Sequence, residues 1–118
     1  MAPISTENDP VKVVETYISN NQVMIFSKSY CPFCKRVKAL FDGLNVEYTA
    51  LELDLEENGE SIQAALANKS GQKTVPNVYI NGTHIGGNDD THRLHQEGGL
   101  LKLIKSHNFD YDLVSQII

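Results

Sequence analysis

One stretch governs what this chain can fold into. Val23-Met24-Ile25-Phe26 is a short, continuous apolar run whose length and β-branching read as a buried strand. It leads within a few residues to Cys31-Pro32-Phe33-Cys34, after which Val37, Leu40, Phe41 and Leu44 recur at helical spacing. Pro32 suits the first position of that helix, where its missing N–H costs nothing, and this makes Cys31 the N-cap residue. The Cys31 sulfur then faces unpaired backbone N–H groups and the positive end of the helix dipole. Cys34 lies three residues on and points inward along the apolar stripe. The two thiols are therefore unequal, one at the helix tip and one a turn deeper.

The rest of the chain supplies the elements around this unit. Asp9 and Pro10 cap and open a first helix, with Val11, Val14, Tyr17 and Ile18 at helical spacing until Asn20-Asn21 breaks the pattern. Val46 to Leu55 alternates apolar and polar residues, which predicts a second strand. A third helix is expected over Ser61 to Asn68, with Gly71 in its C-terminal turn. Val78-Tyr79-Ile80 and Thr83-His84-Ile85 flank Asn81-Gly82, which predicts an antiparallel hairpin with a type I′ turn. Asn88-Asp89-Asp90 after Gly86-Gly87 can cap a fourth helix, closed by Gly98-Gly99, and a last helix is expected from Leu100 to Ser106. The order α-β-α-β-α-β-β-α-α predicts an α/β fold: a mixed four-stranded sheet with helices on both faces, whose strand–helix–strand unit makes a right-handed parallel pair and whose hairpin adds antiparallel edge strands. At 118 residues a single domain is expected, with a core from about 10 to 106 and an apolar tail from 107 to 118.

Composition narrows the function classes. An apolar content of 41% is too high for disorder, and no apolar run approaches the ~18 residues of a membrane span. Ten basic against fifteen acidic residues argue against a non-specific nucleic-acid binder. The first residues have neither a basic nor an apolar region of the secretory kind, so a cytoplasmic location is expected. Two cysteines make no disulfide scaffold. Locally the charge reverses: from Val23 to Phe41 stand Lys28, Lys35, Arg36 and Lys38 and no acid, while six acids fall between Glu47 and Glu60, read as a solvated face and loop. The positive stretch, together with the helix tip, predicts a Cys31 sulfur that is largely ionised at neutral pH. A buried pair without a role does not explain the strand-to-helix position. A zinc site would need His92 and His95, which lie too far along the chain for compact ligand spacing. A redox-active pair accounts for the placement best.

Lys28, Cys31-Pro32-Phe33-Cys34, Thr74-Val75-Pro76 and Gly86-Gly87 followed by Asn88-Asp89-Asp90 together resemble a class I dithiol glutaredoxin of the thioredoxin-like superfamily, over about Pro10 to Ser106. The resemblance implies a glutathione-dependent disulfide oxidoreductase that reduces protein–glutathione mixed disulfides and protein disulfides, with Cys31 as nucleophile and Cys34 resolving. It implies a cis Pro76 beside the active site. It also implies a glutathione site in which Val75 offers backbone hydrogen bonds and Phe33 packs beside the sulfur. Lys28, Lys73 and Gln63 would meet the glycine carboxylate, with Thr74 and Gly87 lining the site. The tip of the fourth helix, around Asp89 and Asp90, would take the γ-glutamyl end. Glutathione is then a co-substrate, glutathionylated and disulfide-containing proteins are the partners, and glutathione reductase acts indirectly. No metal, nucleic acid or membrane is expected, and the chain is expected to be a monomer. The family most often has Tyr where this chain has Phe33. Members that hold an iron–sulfur cluster usually have Gly or Ser in place of Pro32. The rival readings are a thioredoxin-like protein served by a reductase and a cysteine-ligated cluster carrier.

Overall fold

In a computed structural model of the chain, which describes residues 9–106, four strands form one sheet in the order β2-β1-β3-β4. The strands are β1 (Val23–Ser27), β2 (Thr49–Glu52), β3 (Asn77–Ile80) and β4 (Thr83–Gly86). The helices are α1 (Pro10–Asn20), α2 (Pro32–Gly43), α3 (Gly59–Ser70) and α4 (Asn88–Gln96), and residues 100–106 are helical as well. β1 pairs parallel with β2 and antiparallel with β3. This is the mixed sheet that the sequence order predicts. The expected tail from 107 to 118 lies outside the described residues.

The local signals translate into geometry. The Asp9 carboxylate accepts from the Val11 N–H at 3.0 Å, which caps α1 ahead of Pro10. Asn81 and Gly82 have φ of 52° and 80°, and Ile80 pairs with Thr83 across them, so the hairpin turns in the type I′ conformation. One register shift follows: Val78 stands opposite Gly86 but Tyr79 opposite His84, so Ile85 has no partner and β4 carries a bulge.

β1 is buried along its whole length, and its alternate side chains feed two cores. Met24 and Phe26 meet α1 and α3 through Val14, Ile18, Ile62 and Leu66, with Leu51, Leu53 and Tyr79 completing the cluster. Val23 and Ile25 face the other way, against Val37 and Phe41 of α2 and against Leu100 and Ile104. A strand covered on both faces needs no polar alternation, which explains its continuous apolar run.

Two expectations are corrected. The hairpin does not supply two edge strands: β3 sits inside the sheet against β1, fully buried, and of its two strands β4 alone lies at an edge, with β2 at the other. The second strand is shorter than Val46 to Leu55, because the chain leaves the sheet after Glu52 in a 3₁₀ turn, Leu53–Leu55. Leu53 tucks into the core at 3% exposure, whereas Leu55 stands 71% exposed. Asp54 draws the turn toward the cysteine loop by accepting from the Ser29 N–H at 2.8 Å and from the Ser29 hydroxyl.

Candidate active site

The two cysteines lie just past the carboxyl end of β1, where α2 begins. Cys31 is the N-cap of α2, in extended conformation, and Pro32 opens the helix. The Cys34 N–H donates to the Cys31 sulfur at 3.3 Å, the side-chain capping bond that the sequence position requires. This donor and the helix terminus both place positive potential at that sulfur. On its other side the Cys31 thiol reaches the Val75 carbonyl, 3.9 Å away, which joins the α2 tip to the Thr74-Val75-Pro76 loop. The Val75–Pro76 peptide is cis.

Cys31 is half-buried and Cys34 wholly buried, and both are free thiols. Burial first, then its hydrogen bond to Cys31, pushes the Cys34 thiol up to about 11. At neutral pH Cys34 therefore keeps its proton. The fold thus holds one half-buried and one wholly buried thiol.

Beside the Cys31 sulfur runs a groove of about 500 Å³. One wall is Thr74, Val75 and Pro76; another is the start of α4, with Gly87, Asp89 and Asp90; Phe33 stands at the cysteine end. Phe33 is 51% exposed, and the Arg36 guanidinium lies 5.3 Å from its ring centroid, a cation–π contact. Gly87 is the N-cap of α4, just ahead of the expected capping run Asn88-Asp89-Asp90, and Asp90 reaches back to the Gly87 N–H at 3.3 Å. Arg93 also pairs with Asp90, at 3.2 Å on the solvent side.

Lys28, Gln63 and Lys73 do not line this groove. The Gln63 amide donates instead to the Lys73 carbonyl at 3.0 Å and so braces the loop that carries Thr74. Asn88, named in the sequence only as part of the α4 capping motif, also lines the groove, and one lining residue, Gln72, escaped the sequence reading. Gln72 donates through its amide to the carbonyls of Thr74 and Pro76, both at 2.9 Å, and holds the wall in shape. No periodicity or motif marks Gln72 in a polar loop. A larger recess, of about 770 Å³, opens at the opposite end of β1 near Gln22, Asp42 and Tyr48, but it holds no cysteine.

The charge pattern needs correction as well. The acids after Glu47 do not all form a solvated face. Glu52 turns onto the α2 side of the sheet, where it pairs with Lys38 at 2.6 Å and accepts from the buried Ser27 hydroxyl at 2.8 Å. Hydrogen bonds from the Ser29 side chain and then the Ser29 backbone hold the Asp54 carboxyl below its usual range, with a smaller contribution from the Lys28 charge. Acids distant in sequence thus fold back on the basic stretch. Among the described residues no group of three or more His, Cys, Asp or Glu side chains gathers as metal ligands, and no helix is long and apolar enough to cross a membrane.

Comparison with known proteins agrees with this geometry. The glutaredoxin family model matches residues 23–85. Glutaredoxin-C6 of Oryza sativa subsp. japonica is 54% identical over 93 residues, covering 79% of this chain and 82% of its own. The mitochondrial glutaredoxin-2 of Bos taurus is 50% identical over 95 residues, which is 80% of this chain but 60% of that protein. This chain therefore spans about 60% of the length of that mammalian relative. Among solved structures, a buckwheat glutaredoxin–glutathione complex superposes with a TM-score of 0.81 at 43% identity, over 82% of this chain and 88% of that one. The holo form of glutaredoxin C1 from Populus tremula x tremuloides gives 0.80 at 40% identity, over 82% and 96%. The family-model match, a dithiol at the tip of α2 and curated relatives 50–54% identical leave one assignment: the chain belongs to the glutaredoxin family.

Proposed function

We propose that this chain is a glutathione-dependent thiol–disulfide oxidoreductase, in which Cys31 is the nucleophile and Cys34 the resolving thiol. The observation that carries the reading is the Cys31 sulfur, capping α2 with the Cys34 N–H at 3.3 Å and reaching the Val75 carbonyl of the groove wall at 3.9 Å. With a protein–glutathione mixed disulfide, the Cys31 thiolate attacks the glutathione sulfur and the protein leaves as a thiolate, which takes up a proton. A second glutathione thiolate then attacks the new disulfide, releasing glutathione disulfide and restoring Cys31. With a protein disulfide, Cys31 forms a mixed disulfide with the substrate, and Cys34 attacks the Cys31 sulfur to release the reduced protein. Two glutathione molecules then reduce the Cys31–Cys34 bridge. Glutathione reductase regenerates the glutathione pool and does not need to touch this chain.

The groove suits a tripeptide with two carboxylates and one ammonium. The Val75 backbone offers strand-like hydrogen bonds to the cysteinyl unit. The Gly87 end of α4 attracts the γ-glutamyl carboxylate, and Asp89 and Asp90 attract its ammonium. Phe33, Thr74 and Pro76 enclose the middle of the ligand. Lys28 and Lys73 supply positive charge toward the glycine carboxylate, with Gln63 fixing the Lys73 segment. Such chemistry belongs in a compartment with a reduced glutathione pool, and we assign the cytosol. The chain acts as a monomer, without a resident metal.

The test is reduction of a glutathione mixed disulfide coupled to glutathione reductase. Wild type and Cys34→Ser turn over and Cys31→Ser does not. Turnover by Cys31→Ser at the wild-type rate overturns the assignment of roles.

A further inference from the structure

The loop that carries Thr74-Val75-Pro76 leaves α3 at Ser70 and enters β3 at Asn77, and these two residues meet across its base. The Asn77 amide donates to the Ser70 hydroxyl oxygen at 3.1 Å. The same oxygen accepts from the Gln72 backbone N–H at 3.1 Å. The hydroxyl itself donates to the Leu66 carbonyl at 2.9 Å, with the Gln72 carbonyl a longer alternative at 3.4 Å. A serine hydroxyl has one proton to give and two lone pairs to receive with, so its whole capacity is in use. Asn77 has no exposure, which anchors this hub in the interior of the sheet.

From the hub the bonds continue into the groove. The Gln72 side-chain amide has two N–H donors, and it sets one on the Thr74 carbonyl and one on the Pro76 carbonyl, both at 2.9 Å. The carbonyl between them, that of Val75, lies 3.9 Å from the Cys31 sulfur instead. The same Gln72 nitrogen also stands against the other wall. A β-carbon built on Gly87 would lie 3.8 Å from it and 3.5 Å from the Pro76 carbonyl. Gln72 therefore touches both walls of the groove, and Ser70 holds the backbone from which it reaches.

We propose that Ser70, which is not among the residues lining the groove, is a positioning residue for glutathione recognition and acts through Gln72. This rests on the reading of the groove as a glutathione site. A peptide that pairs with the Val75 backbone needs that backbone presented in one orientation. Fixing the carbonyls on either side of Val75 sets that orientation before the ligand arrives, which spares the ordering cost on binding. Gln72 can do this only if it is itself placed, and Gly71 just ahead of it has already left the helix at φ 78°. The Ser70 hydroxyl supplies the placement. Without it, the Gln72 N–H and the buried Asn77 amide lose their acceptor, and the grip on the two carbonyls loosens. Affinity for a ligand bound through Val75 then falls, whereas the Cys31 sulfur, held at the tip of α2, keeps its reactivity.

The test separates recognition from thiol chemistry. Steady-state kinetics with the mixed disulfide of glutathione and 2-mercaptoethanol give KM, and alkylation by iodoacetamide, which carries no glutathione group, reports on Cys31. Ser70→Ala is expected to raise KM about fivefold and to leave the alkylation rate within about twofold of wild type. Ser70→Thr, which keeps the hydroxyl, restores KM to within about twofold. In the Ser70→Ala, Gln72→Ala double variant KM equals that of Gln72→Ala alone, because Ser70 has nothing left to place. A KM for Ser70→Ala at the wild-type value overturns the proposal. So do effects that multiply in the double variant, and so does an alkylation rate that falls along with affinity, which marks a general loosening. One readout needs no variant: by NMR, the Gln72 backbone N–H of the wild type exchanges with solvent at least about tenfold more slowly than a free amide. Exchange at the free rate also overturns the proposal. Failure of the wild type to turn over the mixed disulfide would instead sink the glutathione reading, and the slow exchange at Gln72 would stand.

Discussion

The carboxylate of Asp90 lies where the β-carbon of any larger residue at position 86 would stand. Gly86 has φ +126°, and a methyl group built there would overlap the Asp90 side chain out to its Cβ, at 2.9 Å. The bulge at Ile85, the turn into α4 and the acid at the third helical position are therefore one unit. The glycine makes room, and Asp90 fills it while holding the Gly87 N–H at 3.3 Å.

Gly86→Ala breaks that unit twice, by backbone strain and by expelling Asp90. The expected loss is about 2 kcal/mol of stability, read from the midpoint of denaturant unfolding. Because the start of α4 forms a groove wall, the KM for a glutathione mixed disulfide rises with it. Asp90→Asn keeps the size of the side chain and loses less, about 1 kcal/mol. An alanine variant as stable as wild type would show that Asp90 is not fixed by this fit.

Gln72 shapes the opposite wall through its bonds to the Thr74 and Pro76 carbonyls. Removing it in Gln72→Ala leaves both carbonyls to water, at a stability cost of about 1 kcal/mol. The Cys31 chemistry is untouched, so KM for the mixed disulfide rises several-fold, by roughly the same energy, while kcat holds within about twofold. Steady-state kinetics separate the two parameters. A fall in kcat alone would place Gln72 in the chemical step instead.

The buried Cys34 thiol couples stability to pH. Its folded value, about 11, lies above the ordinary value of 9.0, so the native state holds the proton more tightly than the unfolded chain. The resulting stabilisation is complete below pH 9 and fades as pH rises toward 11. Wild type should therefore lose more stability than Cys34→Ala between these limits, while lysines and tyrosines titrate in both. Equal slopes in denaturant unfolding from pH 8 to about pH 10.5 would contradict this.

Leu55 and Phe41 are both apolar, and their fates differ. Phe41 is fully buried against β1, so Phe41→Ala should cost about 3–5 kcal/mol. Leu55 is 71% exposed, so Leu55→Ala should stay within about 0.5 kcal/mol of wild type. Thermal or denaturant unfolding of the two variants checks both figures.

These residues also show what was legible in advance. The Leu51, Leu53, Leu55 alternation reads as one strand, yet the chain turns after Glu52 because Ser29, far away in sequence, holds Asp54. Periodicity reports burial along a segment but cannot see a hydrogen bond from another loop. Elements with local causes were readable: the Asp9-Pro10 cap, the Cys31-Pro32 cap and the Asn81-Gly82 turn depend on neighbours two or three residues away. The dithiol belongs to this group. Charge was the least readable quantity, since counting along the chain leaves Lys38 unopposed and makes Glu52 a surface residue. Strand register brings the two within 2.6 Å. The groove walls are intermediate, because motifs name Val75 and Asp90 while Gln72 is visible only through its contacts.

The bulge in β4 has a second effect, on the company the molecule keeps. Among the described residues β4 is an edge of the sheet, four residues long, and an uninterrupted edge invites a strand from another molecule to add to it. Unpartnered Ile85 and the sharp conformation at Gly86 interrupt the spacing of the outward N–H and C=O groups. A strand from a second molecule would find no continuous ladder there. The local distortion that seats Asp90 thus also guards the β4 edge against growth by addition.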